Sequence, residues 1–343
     1  MNNSHDNSIH VFPPDLREAL DRFSKESEET LRSFLEPMEA SEPPPIIYHY
    51  TNDVGLKGIL ETGQLWLGDI FSLNDPSELK HGFSLASDIL KSKAISGPEE
   101  CKAFARNFES FGKPGGGIDS GNYFMCSFSS SGNDLGQWRS YADNGRGYAI
   151  GFAAKDLEVG FVTHGSDAPN LIASAPESYS ADQSEKRFLK TFPIIYNDAQ
   201  LAELHRKSIE GMFDLISLPR EKDLTRPTRV AYWAELATTL VVRVLLAGLH
   251  FKHPAYRNEQ EYRFLEVHEK MEPWQVRLRS RPYSLIRYRE FHWKRIAPET
   301  LKRIVVGPAA DRQKSFQFAQ DCLRMFYSSP VEVTCSGIPY RAL

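Results

Sequence analysis

The chain of 343 residues carries 41 lysines and arginines against 45 aspartates and glutamates, and its net charge of −4 excludes a protein that coats nucleic acid through bulk charge. With 41% hydrophobic and 25% charged residues it falls in the ordinary globular range, long enough for one large domain or two modest ones. Four cysteines (Cys101, Cys126, Cys322, Cys335) show no CxxC spacing and are too few for a disulfide framework, which fits a reducing cytoplasm.

The first ten residues, MNNSHDNSIH, lack the basic-then-apolar layout of a signal peptide. Between 15 and 35, Leu16, Leu20, Phe23, Leu31, Phe34 and Leu35 recur at three-to-four spacing, which predicts an amphipathic helix. The run SEPPP at 41–45 is a stiff linker, so residues 1–45 precede a main domain over 46–343. The β-branched and aromatic residues 46–50 predict a strand. A helix follows with Leu56, Ile59 and Leu60 on one face, capped by Thr51, Asn52 or Asp53 and stopped by Gly63. Residues 64–67 suit another strand, and Asn74-Asp75-Pro76 a turn opening a helix over 79–90.

A glycine-rich loop at 115–117 leads to a strand at 123–129, a short helix at 135–142, a turn at Asn144-Gly145 and a strand at 148–152. Residues 164–187, rich in Ser, Ala and Asp, read as a surface excursion. A strand at 192–196 is followed by helices near 198–217 and 229–249. The apolar run 236–251 is broken by Arg243 and too short to span a bilayer, so it reads as a buried helix with no membrane partner. Strands are expected at 261–267, 284–288 and 304–306, then a helix near 313–327 and a strand at 331–334. Strands and helices mix without strict alternation, which points to an α+β fold with a helical insertion at about 198–250.

Three segments carry residues suited to chemistry. On a strand at 48–51, His49 projects opposite to Tyr48 and Tyr50, although a half-buried histidine often does no more than satisfy a hydrogen bond. In CSFS at 126–129, Ser127 and Ser129 share one face and Cys126 and Phe128 the other, as in any sheet with one wet face. In EQEYRFL at 259–265, a strand aligns Glu259, Glu261 and Arg263 on one face. Carboxylates two residues apart perturb one another's ionisation, which costs energy unless a partner or substrate uses them. The plainer reading is a solvated edge strand with Arg263 paired to a glutamate.

Two looser groupings define other functions. Asp75, Glu78 and His81 fall at three-residue spacing on a helix, with His49 on a strand, a ligand set suited to a metal-dependent hydrolase or nuclease. Asp75 beside Pro76 is more simply a helix cap, so no residue is assigned to a metal. From 277 to 303 the chain interleaves Arg277, Arg279, Arg281, Arg287, Arg289, Lys294, Arg295, Lys302 and Arg303 with Tyr283, Tyr288, Phe291 and Trp293. Phosphate contacts and base stacking use that mixture, as in a non-catalytic nucleic-acid or protein-binding module. The plainer account is a charge run that faces solvent or pairs with the acidic N-terminal helix.

Together, Tyr48-His49-Tyr50-Thr51, Asn74-Asp75-Pro76-Ser77-Glu78 and Glu259-Gln260-Glu261-Tyr262-Arg263 resemble the Y-H-Y-T opening, N-D-P-x-E turn and closing E-x-E-Y-R strand of a bacterial family of unknown function, DUF2971. CSFS, the Trp138/Tyr141 helix, residues 147–152 and residues 304–308 fit the same pattern. The layout of that family is similar to the ADP-ribosyltransferase superfamily. The resemblance implies a split β-sandwich enclosing an NAD cleft, within a cytoplasmic enzyme that cleaves the nicotinamide–ribose bond and passes ADP-ribose to a protein or nucleic-acid acceptor. The stretch 277–303 is then a candidate surface for a nucleic-acid acceptor.

By that likeness His49 would hold the adenosine ribose or the pyrophosphate, with Tyr50, Thr51 and Arg263 also at the NAD. Ser127 and Ser129 would support the cleft wall near the nicotinamide ribose, and Tyr50 or Tyr141 would stack on the nicotinamide. Glu261 would be the catalytic carboxylate, with Glu259 orienting or deprotonating the nucleophile. The middle strand reads CSFS where the superfamily has S-T-S, a departure. The scheme requires His49 and Glu261 to face one pocket.

Overall fold

The structure, a computed structural model, describes residues 12–72, 77–113, 121–165, 187–220, 224–268, 271 and 275–342. In chain order it runs α1 (Pro14–Glu39), β1 (Ile46–Thr51), α2 (Asp53–Thr62), β2 (Leu65–Asp69), α3 (Ser77–Ala94), α4 (Glu99–Phe111), β3 (Asn122–Ser129), α5 (Leu135–Tyr141), β4 (Tyr148–Ala153), α6 (Ala154–His164) and β5 (Arg187–Pro193). There follow α7 (Asp198–Ile209), α8 (Met212–Ser217), α9 (Arg226–His250), β6 (Glu261–His268), β7 (Arg277–Arg281), β8 (Ser284–Phe291), α10 (Trp293–Ile296), β9 (Leu301–Val306), α11 (Arg312–Phe326) and β10 (Glu332–Cys335). The chain is an α+β protein. Helices α4, α6 and α10 and strand β7 are additions to what the sequence predicts, and the helix expected near 198–217 is divided into α7 and α8. The turn at 74–76, the glycine loop at 115–117 and most of the excursion at 164–187 lie outside the described residues.

The residues form two units. One gathers Met1–Pro37, Ser77–Ser120 and Asn197–His253. Its core joins Leu16, Leu20 and Phe23 of α1 to Phe83 of α3, Phe108 of α4 and Leu236, Leu240 and Val244 of α9. Phe83 and Phe108 stack at 4.7 Å. Helices α3 and α9 approach closely at Gly82, where an added Cβ would come within 3.3 Å of the Gly248 Cα. By length and composition α9 is apolar enough to cross a membrane, and its apolar side chains are the centre of this core.

The second unit gathers Met38–Pro76, Gly121–Tyr196 and Pro254–Leu343 and contains a ten-stranded sheet. The main path is β10-β9-β4-β1-β3-β2-β8-β7, with β6 and then β5 added beyond β3. Among the described strands, β9 and β10 run parallel and the other pairs antiparallel. β3 is a fork. All eight of its residues pair with β6, while on the other edge its end at Ser129 meets Tyr48 of β1, and Phe124 and Met125 meet Asp69 and Gly68 of β2.

This register assigns the faces, because directly opposed residues of antiparallel strands project to the same side. One face carries Tyr48, Ser129 and Glu261; the other carries Ile47, Phe128 and Tyr262. The second face buries the core, where Phe124, Phe128, Phe152, Phe264 and Phe291 meet Phe161 of α6 and Trp293 of α10. Phe264 sits 4.9 Å from Phe128 and 5.0 Å from Phe161. Phe264→Ala is therefore expected to cost about 3–5 kcal/mol, seen as a lower urea midpoint. An unchanged midpoint would remove Phe264 from the centre of the core.

Candidate functional site

Strand β6 begins at Glu261. Glu259 closes a 3-10 turn (Pro254–Glu259), and Gln260 between them has φ of 44°, a left-handed conformation. For a non-glycine residue this costs roughly 1–2 kcal/mol and persists only where neighbours impose it. Ser130 imposes it here, its N–H donating to the Gln260 carbonyl and its hydroxyl to Gln260 Oε1, both at 2.9 Å. The reversal breaks the two-residue alternation, so Glu259 and Glu261 do not share a strand face as the sequence pattern suggests. Both are tied to β3 instead, Glu259 by its carbonyl to Ser129 and Glu261 by its carboxylate to Ser127.

The Glu261 carboxylate is held from three directions. Ser127 Oγ donates to Oε1 at 2.7 Å, Arg263 Nε to the same oxygen at 2.6 Å, and Arg263 Nη2 to Oε2 at 3.0 Å. The backbone N–H of Glu261 donates to the Tyr196 hydroxyl at 2.9 Å. With Glu261 7% and Arg263 2% exposed, this is a buried charge pair rather than a solvated one. Glu259 is half-buried. Its carbonyl accepts from the Ser129 hydroxyl at 2.7 Å, and its carboxylate accepts from the Tyr141 hydroxyl at 3.1 Å.

Helix α5 presents Tyr141. Asp134 caps that helix by accepting from Gln137 N at 2.9 Å, and the wholly buried Trp138 seats it against Tyr50 at 4.8 Å between ring centres. Tyr141 is 42% exposed. Ser127, Ser129, Tyr141, Glu259, Glu261 and Arg263 are thus brought together. Tyr50 lies on the same face, but its hydroxyl donates to the Ser131 carbonyl at 2.8 Å and accepts from Asp134 N at 3.2 Å. It braces the 131–134 loop, and burial raises its phenol pKa.

His49 is not part of this group. Tyr48, not His49, opposes Ser129, so the imidazole projects to the other face. There it packs edge-on against Phe128 at 5.8 Å, with Nδ1 3.2 Å from the Ser127 carbonyl and 4.0 Å from Cys126 Sγ. A carbonyl only accepts, so Nδ1 carries the proton. Burial lowers the pKa of His49 while the Ser127 carbonyl opposes the shift, which leaves the ring neutral near pH 7. Burial also pushes the Cys126 thiol up to about 12, so the two do not form a nucleophile and base. Thr51, two residues on, shares the His49 side and crowds Gly55 of α2. The expected convergence of His49 and Glu261 on one pocket is corrected: they occupy opposite faces of the sheet.

For the metal grouping, Asp75 and the side chain of Glu78 lie outside the described residues, and His81 Nε2 is 3.1 Å from Asp198 Oδ1. Among the described residues no three His, Cys, Asp or Glu side chains are placed to hold a metal. The basic-aromatic stretch divides. Phe291 and Trp293 belong to the core. Arg287 pairs with Asp69 at 2.7 Å, Arg289 with Glu266 at 3.2 Å and Arg303 with Glu332, while Lys294 reaches the carbonyls of Leu60 and Phe326. Arg277, Arg279 and Arg281 line β7.

Residues 137–264 match the family described as "Protein of unknown function (DUF2971)", a stretch containing Tyr141, Glu259, Glu261 and Arg263 but not His49. No curated protein and no solved structure matches the chain.

Two outcomes follow. Glu261→Gln removes the charge that Arg263 Nε and Nη2 face in a buried setting and should cost about 3–5 kcal/mol in denaturant unfolding, most of it regained when Arg263→Met is added. A cost under ~1 kcal/mol would mean that the pair is solvated. For His49, the folded pKa lies below the unfolded value of 6.5. The unfolded chain therefore takes the proton first, and stability is full above that pH and falls as pH drops toward the folded pKa. Between about pH 7.5 and pH 5 the wild type should lose more melting temperature than His49→Gln. Equal losses would contradict the assignment.

Proposed function

We propose that this chain, whose residues 137–264 match the DUF2971 family, is a cytoplasmic ADP-ribosyltransferase-like enzyme that uses NAD as substrate and passes ADP-ribose to a protein or nucleic-acid acceptor. One observation carries this reading: two carboxylates, Glu261 and Glu259, each held by a hydroxyl from Ser127 and Tyr141, flank the left-handed Gln260. Backbone strain of this kind persists where the surrounding structure enforces it, commonly at sites of chemistry. The fork of the sheet at β3 supports a split β-sandwich of that superfamily.

Cleaving the bond between nicotinamide and ribose builds positive charge on the sugar, as glycoside cleavage does. Nicotinamide departs as a neutral molecule with the bonding electron pair, so no acid is required. A carboxylate beside the developing charge is required, and a fixed group of this kind is worth on the order of 3 kcal/mol, about a hundredfold in rate. Ser127 and Arg263 fix Glu261 so that no reorganisation accompanies the reaction. Glu259, more open and held by Tyr141, is suited to accept the proton of the acceptor as its oxygen or nitrogen bonds to the sugar carbon. Ser129 positions Glu259 through its carbonyl. His49 faces the other side of the sheet from Glu261, so the requirement that both line one NAD pocket is not met and the reading rests on the two carboxylates alone.

The test incubates the full chain with NAD labelled in the nicotinamide ring, with and without cell lysate as acceptor, and follows free nicotinamide. Glu259→Gln, which leaves the buried Glu261–Arg263 pair intact, should keep the wild-type melting temperature and lose roughly a hundredfold in the nicotinamide release that depends on acceptor. Wild-type protein that releases none, or a variant with undiminished turnover, would overturn the reading.

A further inference from the structure

The limb of the sheet that ends at β7 carries a partly exposed aromatic and cationic ledge. Opposed residues place Trp66 of β2 and Tyr288 and Glu290 of β8 on the same face as Arg277, Arg279 and Arg281 of β7. Trp66 is 46% exposed, with its ring 4.4 Å from that of Tyr288 at an interplanar angle of 32°. The Arg279 guanidinium lies over the Trp66 ring at 5.6 Å, and its Nε is shielded from solvent with no hydrogen-bond partner. Arg277 approaches Glu290 only at 3.8 Å, and Arg281 donates to the Ser72 carbonyl at 3.4 Å. β7 ends its limb of the sheet, with β8 as its strand neighbour. Alternate side chains on such a strand stand about 6.5–7 Å apart, so the three arginines leave β7 in a row on one face, with the Arg279 guanidinium reaching inward over Trp66.

Within a chain of net charge −4, this ledge sets three guanidinium groups against one carboxylate. A close aromatic pair beside a row of arginines suits bases and phosphates of one strand together. We propose that the Trp66–Tyr288–Arg279 ledge binds single-stranded nucleic acid, with bases against the aromatic pair and phosphates along Arg277, Arg279 and Arg281. An acidic peptide would use the arginines and leave the rings idle, and a duplex keeps its base faces stacked away from them. The long basic stretch visible in the sequence narrows to one strand, joined by a tryptophan more than two hundred positions earlier. Register across β2 and β3 sets Gly68 opposite Met125, so the ledge lies on the sheet face that carries Ser127 and Glu261.

Fluorescence anisotropy of labelled oligothymidylate and oligouridylate, each about 12 nucleotides, with the full chain at low salt tests this without NAD, so its outcome is independent of the role of the carboxylates. Trp66→Ala and Arg279→Gln are each expected to weaken binding roughly tenfold. Each arginine removed should also take about 0.7 from the slope of log affinity against log salt. Should Trp66→Ala lower the melting temperature, Arg277→Gln, on a half-exposed side chain, serves in its place. No binding by the wild type, unchanged affinity in the variants, or equal competition by polyglutamate of the same length would overturn the proposal.

Discussion

The alternation of side chains along β3 governs everything else in the sheet unit. That strand is hydrogen-bonded to β1, β2 and β6, so its register decides which residues of three other strands face the aromatic core and which face the polar site. Phe124, Cys126 and Phe128 turn to the core, while Met125, Ser127 and Ser129 turn away from it. A slip of one residue would exchange the two sets and drive hydroxyls into a cluster of phenylalanines, which makes the register strongly specified. The polar site inherits its precision from that apolar demand.

Within the site, charge and strain reinforce one another. Arg263 and Ser127 hold Glu261 in a dry environment where an unpaired carboxylate would be costly. Directly before it the chain turns through Gln260, and the hydroxyls of Ser129 and Ser130 secure that turn through backbone and side-chain acceptors. The result is a buried carboxylate and a half-buried one, close in sequence yet different in surroundings. Environments that differ in this way let two like groups take different chemical roles.

Local pattern made much of this legible. The alternation in CSFS shows which serines face together, the spacing of Leu56, Ile59 and Leu60 shows α2, and Asn52 and Gly63 mark its ends, where the structure places a side-chain cap and a left-handed glycine. Helix α4 was not among the predicted elements, although Cys101, Phe104, Ala105 and Phe108 are spaced as one helical face and are buried together. Strand β7 was hidden because RLRSR at a sheet edge buries little and reads as a solvated charge run. Two features needed tertiary information. Which residue of β1 meets Ser129 is a pairing across about eighty positions, and it alone sends His49 to the core side. The conformation of Gln260 depends on Ser130, a hundred and thirty positions away, so no strand pattern could separate Glu259 from Glu261.

The two units are interleaved along the chain, each assembled from three separate segments. A ribosome delivers segments in order, so α1 emerges long before α9, the helix that supplies much of its apolar partner surface. At typical synthesis rates of roughly 5–20 residues per second, Leu16, Leu20 and Phe23 wait on the order of ten to forty seconds for that partner. During this interval an amphipathic helix remains uncovered, an obvious client for chaperones that shield apolar surface. For the same reason, neither unit can be obtained by cutting the gene at one point, and dissection requires splicing three segments with new linkers.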